Sequence, residues 1–158
     1  MTHPALLAFG TETRTFLESL QKAHRYWSDN LCGACGVGAY LNWKLFTQHG
    51  FQASLIMADN FEQAHCWTEV RVGHKVFVVD TTATQFGPLY NKVLILPVNV
   101  YLGQAFIQPD YKFYRDQAAI RLFKEAHWLD CQRPDTFKRE SRKFLRDVSS
   151  LTIGFKAA

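Results

Sequence analysis

The first fifty residues contain two apolar patterns with the spacing of a helix. The first predicts a helix over residues 11–27, capped by Thr11 or Thr13, with an apolar face formed by Phe16, Leu20, Ala23 and Trp27. The second predicts a helix over residues 35–49, apolar almost all the way round, which is typical of a central, buried helix. Polar residues separate the two, and Gly50 lies where a C-terminal glycine cap belongs.

The middle of the chain alternates in the manner of β-strands. Strands are predicted over residues 51–57, 66–72 and 75–79, with a tight hairpin at Gly73-His74. The third strand ends at Asp80, and a loop is predicted after it. A further apolar run, residues 93–96, predicts a short extended segment that Pro97 ends.

The last third of the chain returns to helical spacing. Residues 110–128 predict a helix in which Phe113 and Phe123 are available for packing, and residues 135–148 predict another. Residues 99–109 show no clear pattern. The last predicted helix carries five basic residues, Lys138, Arg139, Arg142, Lys143 and Arg146. They most simply form a face exposed to solvent, and docking of an acidic partner is the alternative.

Composition and charge narrow the function classes. Of 158 residues, 47% are hydrophobic and 15% aromatic, so the chain can bury a core and is not disordered. A net charge of +4 without a reader motif predicts no nucleic-acid partner. No apolar run reaches the ~18–20 residues of a membrane span, and the N-terminus lacks the features of a secretory signal. We expect a cytoplasmic protein, or one delivered into a target cell without a cleaved signal peptide.

The cysteines bring in the candidate chemistry. Four cysteines are too few for a disulfide scaffold at this length and predict free thiols, a metal site or a catalytic site. Cys35 stands where the second helix begins, and a helix N-terminus lowers the pKa of a thiol because its unpaired N–H groups favour negative charge. His65, at the head of a strand, and Asp80, at the end of the next, complete a Cys-His-Asp set. Gly36 and Gly38 are expected to leave open space beside the sulfur.

Three segments together resemble the transglutaminase-like and papain-like cysteine hydrolases. Cys35 begins a Cys-x3-Ala-x5-Leu-x4-Gly spacing typical of their nucleophile helix. Residues 65–70, His-Cys-Trp-Thr-Glu-Val, look like their His-Ala-Trp-x-Glu-Val strand, and residues 79–82 are similar to their Val-Asp-Pro-Thr segment. Residues 30–35 also resemble the surroundings of the papain nucleophile. The departures are Cys66 in place of a small residue and Thr81 in place of proline.

The resemblance implies a role for each matching residue. Cys35 would be the nucleophile, and His65 the base that activates it and later protonates the leaving amine. Asp80 would orient the imidazole and stabilise its charged form. Gln85 would donate to the oxyanion, as in toxin-type glutamine deamidases, with Asn30 as a further candidate for the oxyanion hole.

The same resemblance implies a fold and a reaction. The fold would be α+β and papain-like: one domain over residues 1–158, with a catalytic core of about residues 28–97. Its nucleophile helix would pack on a small antiparallel sheet, with additional N- and C-terminal helices. The reaction would be acyl transfer from an amide through a Cys thioester, as in deamidation or transamidation of a protein glutamine by a bacterial effector. A protein or peptide would be the substrate, without cofactor or metal, and Trp67 would belong to the core or to the wall of the substrate site.

Other interpretations of the same residues stay open. A cysteine peptidase, including the leader-peptide-cleaving kind, needs the same triad. Cys32 and Cys35 form a CxxC spacing that is compatible with a redox pair, with a regulatory disulfide, or with a zinc site that adds His65 and Cys66. The zinc interpretation is disfavoured because neighbouring strand residues point to opposite faces. Taken singly, the triad residues are compatible with inert core or turn positions.

Overall fold

A computed structural model describes residues 3–125 and 134–151. The elements, in chain order, are α1 (Pro4–His24), α2 (Cys35–Gln48), β1 (Ala53–Asp59), β2 (Ala64–Val72), β3 (Lys75–Asp80), β4 (Leu94–Pro97), α3 (Val98–Tyr101), β5 (Lys112–Arg115), α4 (Gln117–Glu125) and α5 (Pro134–Leu151). The predicted α+β class is confirmed, as are the buried helix at Cys35, the hairpin at Gly73 and the strand that ends at Asp80.

The five strands form one antiparallel sheet in the order β4-β3-β2-β1-β5. β2 is central, but its pairing with β3 begins only at Thr68. Residues 64–67 of β2 therefore extend past the last residue pair that it forms with β3. A short 3-10 turn, Ala83–Phe86, follows β3 and Asp80. The start of β2 thus lies beside the segment that follows β3 and is no longer part of the sheet. Side chains from several elements can meet at this position.

Helix α2 packs against β2 and β1 and carries much of the core. Its apolar side chains join those of α1 in one buried cluster that includes Val37, Leu41, Leu45 and Phe46. The Thr68 hydroxyl donates a 2.8 Å hydrogen bond to the Ala39 carbonyl and ties the helix to the central strand. This bond fixes how far α2 is shifted along β2.

Gly38 is a point of close approach between α2 and its neighbours. A Cβ at this position would lie 2.8 Å from Thr81 Oγ1 and 3.1 Å from Leu17 Cδ1. Both Gly36 and Gly38 are buried, so the expectation that they leave open space beside the sulfur is wrong. Glycine at 38 instead allows α2 to lie against α1 and the segment that follows Asp80.

The first helix begins earlier and ends earlier than its apolar pattern indicates. His3 caps it by accepting from the Ala5 N–H at 3.1 Å, and Pro4 supplies a first helical residue that needs no N–H partner. Neither Thr11 nor Thr13 is therefore the cap. The helix ends at His24, before Trp27, because Arg25 adopts a left-handed conformation with φ 56°.

The predicted helix over residues 110–128 is wrong in its first part. Residues 112–115 form the edge strand β5, and Phe113 is half exposed there. Asp116, with φ 48°, separates β5 from α4. Its carboxylate accepts from the Leu55 N–H at 2.9 Å and its own N–H donates to the Leu55 carbonyl at 2.8 Å, so the turn is fastened to β1. Residues 126–128 of that prediction lie outside the described residues.

Helix α5 lies on the core through an apolar face. Phe144 stacks on Phe16 with ring centroids 4.5 Å apart, and Phe137 and Val148 are buried with it. The five basic residues of α5 are exposed, as a solvated face requires, and an acidic partner for them stays a prediction. Among residues 3–125 and 134–151, no helix combines the length and apolarity needed to cross a bilayer.

Candidate active site

Cys35, His65 and Asp80 meet where α2 begins, β2 begins and β3 ends. Cys35 is 7% exposed, His65 0% and Asp80 1%. His65 Nε2 lies 2.7 Å from Asp80 Oδ2, and the Cys35 thiol lies near enough to the same imidazole that each group shifts the pKa of the other. Because Asp80 occupies Nε2, Nδ1 is the ring nitrogen left to face the sulfur.

Asp80 is a buried carboxylate surrounded by donors. Besides His65, the Tyr101 hydroxyl donates to Oδ2 at 2.7 Å. Oδ1 accepts from the Thr82 N–H at 2.8 Å and from the Thr82 hydroxyl at 3.3 Å. Burial alone would raise the pKa of Asp80, but the charge of His65 and these hydrogen bonds outweigh it and hold the pKa below its ordinary value.

The imidazole of His65 is held in its charged form by its two neighbours. Burial by itself lowers the pKa of a histidine, since the charged form loses its hydration. Here the negative charge and hydrogen bond of Asp80, together with those of Cys35, reverse that effect and raise the pKa of His65 to about 10.

The Cys35 thiol is shifted in the opposite direction. A hydrogen bond from the neighbouring Cys66 favours the thiolate most, burial opposes it, and the bond to His65 and its charge favour it again, so the pKa of Cys35 falls to about 5. Ala34, the N-cap residue of α2, provides no side-chain acceptor for the first helical turn. Cys35 is the first residue of α2, and a thiolate at the start of a helix is favoured by the positive end of the helix dipole.

The turn before α2 presents Cys35 to the sheet. Leu31 and Gly33 adopt left-handed conformations with φ 64° and 98°, and the Leu31 side chain is fully buried. Asn30 shapes this turn, since its Oδ1 accepts from the Cys32 N–H at 3.0 Å. A part for Asn30 in an oxyanion hole stays a prediction, because the contact that the structure gives this side chain is one within the turn.

Gln85 comes to the site from the 3-10 turn. Its Nε2 lies 3.1 Å from His65 Nδ1 and 3.4 Å from Thr82 Oγ1. The amide thus touches the ring nitrogen that faces Cys35. Because Nδ1 is a donor when His65 is charged, the amide then accepts from it through Oε1, which leaves the –NH2 group free to donate. Donation from Gln85 to a tetrahedral oxygen stays a prediction.

A cleft of about 570 Å³ lies next to this group of residues and is lined by their neighbours Ala64, Gln85 and Phe86 rather than by the triad itself. Phe86 and Phe106 stack in it with centroids 4.4 Å apart, and both rings meet the His65 ring edge-on at 4.7 and 5.8 Å. Gln63, Gln85, Gln108 and the exposed Cys32 also line it. None of the described lining residues carries a charge.

Several contributors to the site were not predicted from the sequence. Tyr101 and the pair Phe86–Phe106 belong to a loop, a short turn or a four-residue helix without a recognisable motif. Thr82 lies in the segment that resembles Val-Asp-Pro-Thr, but no contact with Asp80 was predicted for it. Trp67 is 1% exposed and lies behind His65, with ring centroids 5.9 Å apart, so its place is in the core.

The described thiols and acids do not assemble as a metal-binding set. Cys32, Cys35 and Cys66 are free thiols, and within the described ranges no three His, Cys, Asp or Glu side chains come together as metal ligands would. Cys131 lies outside those ranges. Cys66 and His65 are the groups that lower the pKa of Cys35, so the thiol interacts electrostatically with the imidazole.

The shifted pKa of Cys35 gives a direct prediction. Alkylation of Cys35 by iodoacetamide should follow an apparent pKa of about 5, so that Cys35 is already modified quickly at about pH 6, where an ordinary thiol of pKa ~8.5 is not. Peptide mass spectrometry identifies the labelled cysteine. His65→Ala should move the profile upward, and His74→Ala, in the exposed hairpin, serves as its control. Equal, slow labelling of all four cysteines would contradict the assignment.

The comparisons with known proteins add nothing to this geometry. No family model matches the chain, and neither the curated proteins nor the solved structures gave a match. The functional argument therefore depends on the residues and on the contacts that they make.

Proposed function

We propose that the protein is a cysteine-dependent enzyme that transfers the acyl group of an amide through a thioester on Cys35. The observation that carries the proposal is the buried pair Asp80–His65, hydrogen-bonded at 2.7 Å, with the Cys35 thiol interacting with the same imidazole. The opposite shifts of the two pKa values, to about 5 for Cys35 and about 10 for His65, maintain a thiolate–imidazolium pair across neutral pH. A nucleophile and an acid are thus present together.

The proposed reaction proceeds in two steps, formation of a thioester and its cleavage. The Cys35 thiolate attacks the carbonyl carbon of the amide, the C–N bond breaks, and the proton on His65 Nδ1 goes to the leaving nitrogen. A thioester and a free amine or ammonia result. His65, now neutral, takes a proton from water or from an incoming amine, which attacks the thioester and regenerates the thiolate. Asp80 keeps the imidazole in the required orientation throughout.

The helix and the turn supply candidates for oxyanion stabilisation. The Cys35 N–H lies at the start of α2, where no side chain accepts from the first turn, and the Gln85 amide lies beside His65 Nδ1. Both groups are candidate donors near Cys35 and His65, and stabilisation of a tetrahedral intermediate requires such donors. The papain-like arrangement implied by the resemblance, with the nucleophile on a helix and the base on an antiparallel sheet, is in agreement with this placement.

A glutamine side chain on a protein or peptide is the substrate that we favour. The resemblance to toxin-type deamidases motivates this choice, and the cleft supports it because its described lining is uncharged and rich in amide groups. A neutral carboxamide loses less hydration energy there than a charged side chain would. Peptide-bond cleavage by the same residues is the second candidate, and the product distinguishes the two.

Substitution of the triad tests the reaction. Cys35→Ala should reduce turnover by at least about a thousandfold while the far-UV CD spectrum stays unchanged. Asp80→Asn should reduce it by about a hundredfold, since an amide can still accept from Tyr101 but no longer stabilises the imidazolium. Release of ammonia from glutamine peptides and cleavage of the peptide are measured in parallel. Cys32→Ala is the matched control and should remain active; full activity of Cys35→Ala would end the proposal.

The uncharged cleft gives a separate prediction about the substrate. Glutamine peptides with neutral or aromatic neighbours should react faster than those with charged neighbours. Gln108→Glu should then favour basic over acidic neighbours by about fivefold, because it adds one anion to a partly exposed wall. Gln117→Glu adds the same charge on α4, outside the lining, and should leave the preference unchanged. Equal preferences in both variants would show that substrate does not occupy this cleft.

A further inference from the structure

Cys66 is a buried thiol that the proposed reaction does not use. It follows His65 in β2, is 1% exposed, and packs in one cluster with Cys35, Ala39, Leu55 and Met57. It is also where the sequence departs from the small residue expected by resemblance. Burial makes it unreactive by itself, because the pKa of Cys66 is raised well above its ordinary value.

The packing of α2 on β2 places Cys66 against Cys35. The Thr68 hydroxyl is bonded to the Ala39 carbonyl at 2.8 Å. Four residues back along the helix, a distance of about 6 Å, is Cys35. Two residues back along the strand, about 6.6 Å, is Cys66. The two distances nearly match, and Cys35, Ala39 and Cys66 share one buried cluster, so Cys35 and Cys66 lie together on the side of the Ala39–Thr68 contact where both elements begin.

His65 and Cys66 lie on opposite faces of β2 and therefore have different surroundings in the same site. Neighbouring strand residues point to opposite faces. The His65 ring lies among Phe86, Phe106 and Trp67, whereas Cys66 shares a cluster with residues of α2. The pairing of β3 with β2 does not extend to this end of β2, so no neighbouring strand separates the two faces there. The Cys35 sulfur can therefore interact with the His65 imidazole and with the Cys66 thiol.

The direction of the thiol–thiol hydrogen bond follows from the charges. Cys35 has an imidazolium beside it, whereas Cys66 faces the negative charges of Cys35 and Asp80 in a buried position. The shared proton therefore stays on Cys66, and Cys35 is the acceptor. A thiol is a weak neutral donor, but its bond is strengthened when the acceptor is ionised and buried.

We propose that Cys66 is a positioning residue whose thiol donates a hydrogen bond to the Cys35 sulfur and so holds that sulfur in place beside His65. This role rests on the proposed function, in which Cys35 is the nucleophile. It requires no oxidation or bond formation at Cys66. The deviation from a small residue would then be a specific adaptation of the site.

Two variants of Cys66 and one control test the proposal. Cys66→Ala removes the donor, and Cys66→Ser retains a hydroxyl donor of similar size. The rate of Cys35 alkylation is measured against pH by peptide mass spectrometry, with far-UV CD and thermal unfolding to verify the fold. The apparent pKa of Cys35 should rise by about one unit in Cys66→Ala and return toward the wild-type value in Cys66→Ser. Cys32→Ala should leave it unchanged.

The outcomes separate this inference from the proposed function. A low apparent pKa in the wild type that is unchanged in folded Cys66→Ala would overturn the role of Cys66 and leave the triad intact. A rise in Cys66→Ala that Cys66→Ser does not reverse at all would assign the effect to packing and also overturn the hydrogen bond. An apparent pKa near 8.5 in the wild type would overturn the thiolate itself, and with it the proposed function.

Discussion

Asp80 and His65 form a buried charged pair on which the candidate site depends. A carboxylate removed from water is strongly destabilised unless its oxygens are hydrogen-bonded. Asp80 meets this condition with donors from three residues: His65, Tyr101 and Thr82. The resulting negative charge keeps His65 protonated, and the protonated ring in turn favours the Cys35 thiolate. Loss of the carboxylate would therefore weaken every electrostatic interaction along the line.

Much of the fold serves to hold this pair in place. β3 ends at Asp80, and the turn after it returns Thr82 to the carboxylate and Gln85 to the imidazole. Arg14, a buried residue of α1, donates to the Thr81 carbonyl at 3.0 Å and to Thr84 Oγ1 at 2.8 Å, which fastens that turn from the other side. The path of the chain after β3 is thus fixed by α1 as well as by the sheet.

The sequence was informative where one strong local pattern decides the structure. The apolar helix at Cys35 and the hairpin at Gly73 have such patterns, and they place Cys35 and Asp80 at element ends. Residues 112–115 form a strand instead of the predicted helix because they pair with β1. Asp116 ends this strand through its contacts with Leu55. Such long-range pairing leaves little trace in the local spacing of apolar residues.

The residues of the site, too, were predictable from the sequence only where a local pattern marks them. Cys35, His65 and Asp80 were predicted because their residue types stand at element boundaries in recognisable contexts. Tyr101 reaches Asp80 across 21 positions from a four-residue helix, and nothing in its neighbourhood marks it as a donor. Cys66 points to the face of β2 opposite His65, and it lies beside Cys35 because α2 packs on that face. No local pattern in the sequence indicates this contact.

The protonation state of His65 tests the central claim most directly. In protein labelled with nitrogen-15, the ring nitrogen shifts distinguish a doubly protonated imidazolium from a neutral ring, and a His65→Gln variant assigns the signal. At about pH 8, an ordinary histidine of pKa ~6.5 is neutral. The ion-pair account predicts that His65 still carries a proton on both ring nitrogens there and loses one only near pH 10. A neutral His65 that titrates near its ordinary value would contradict the account.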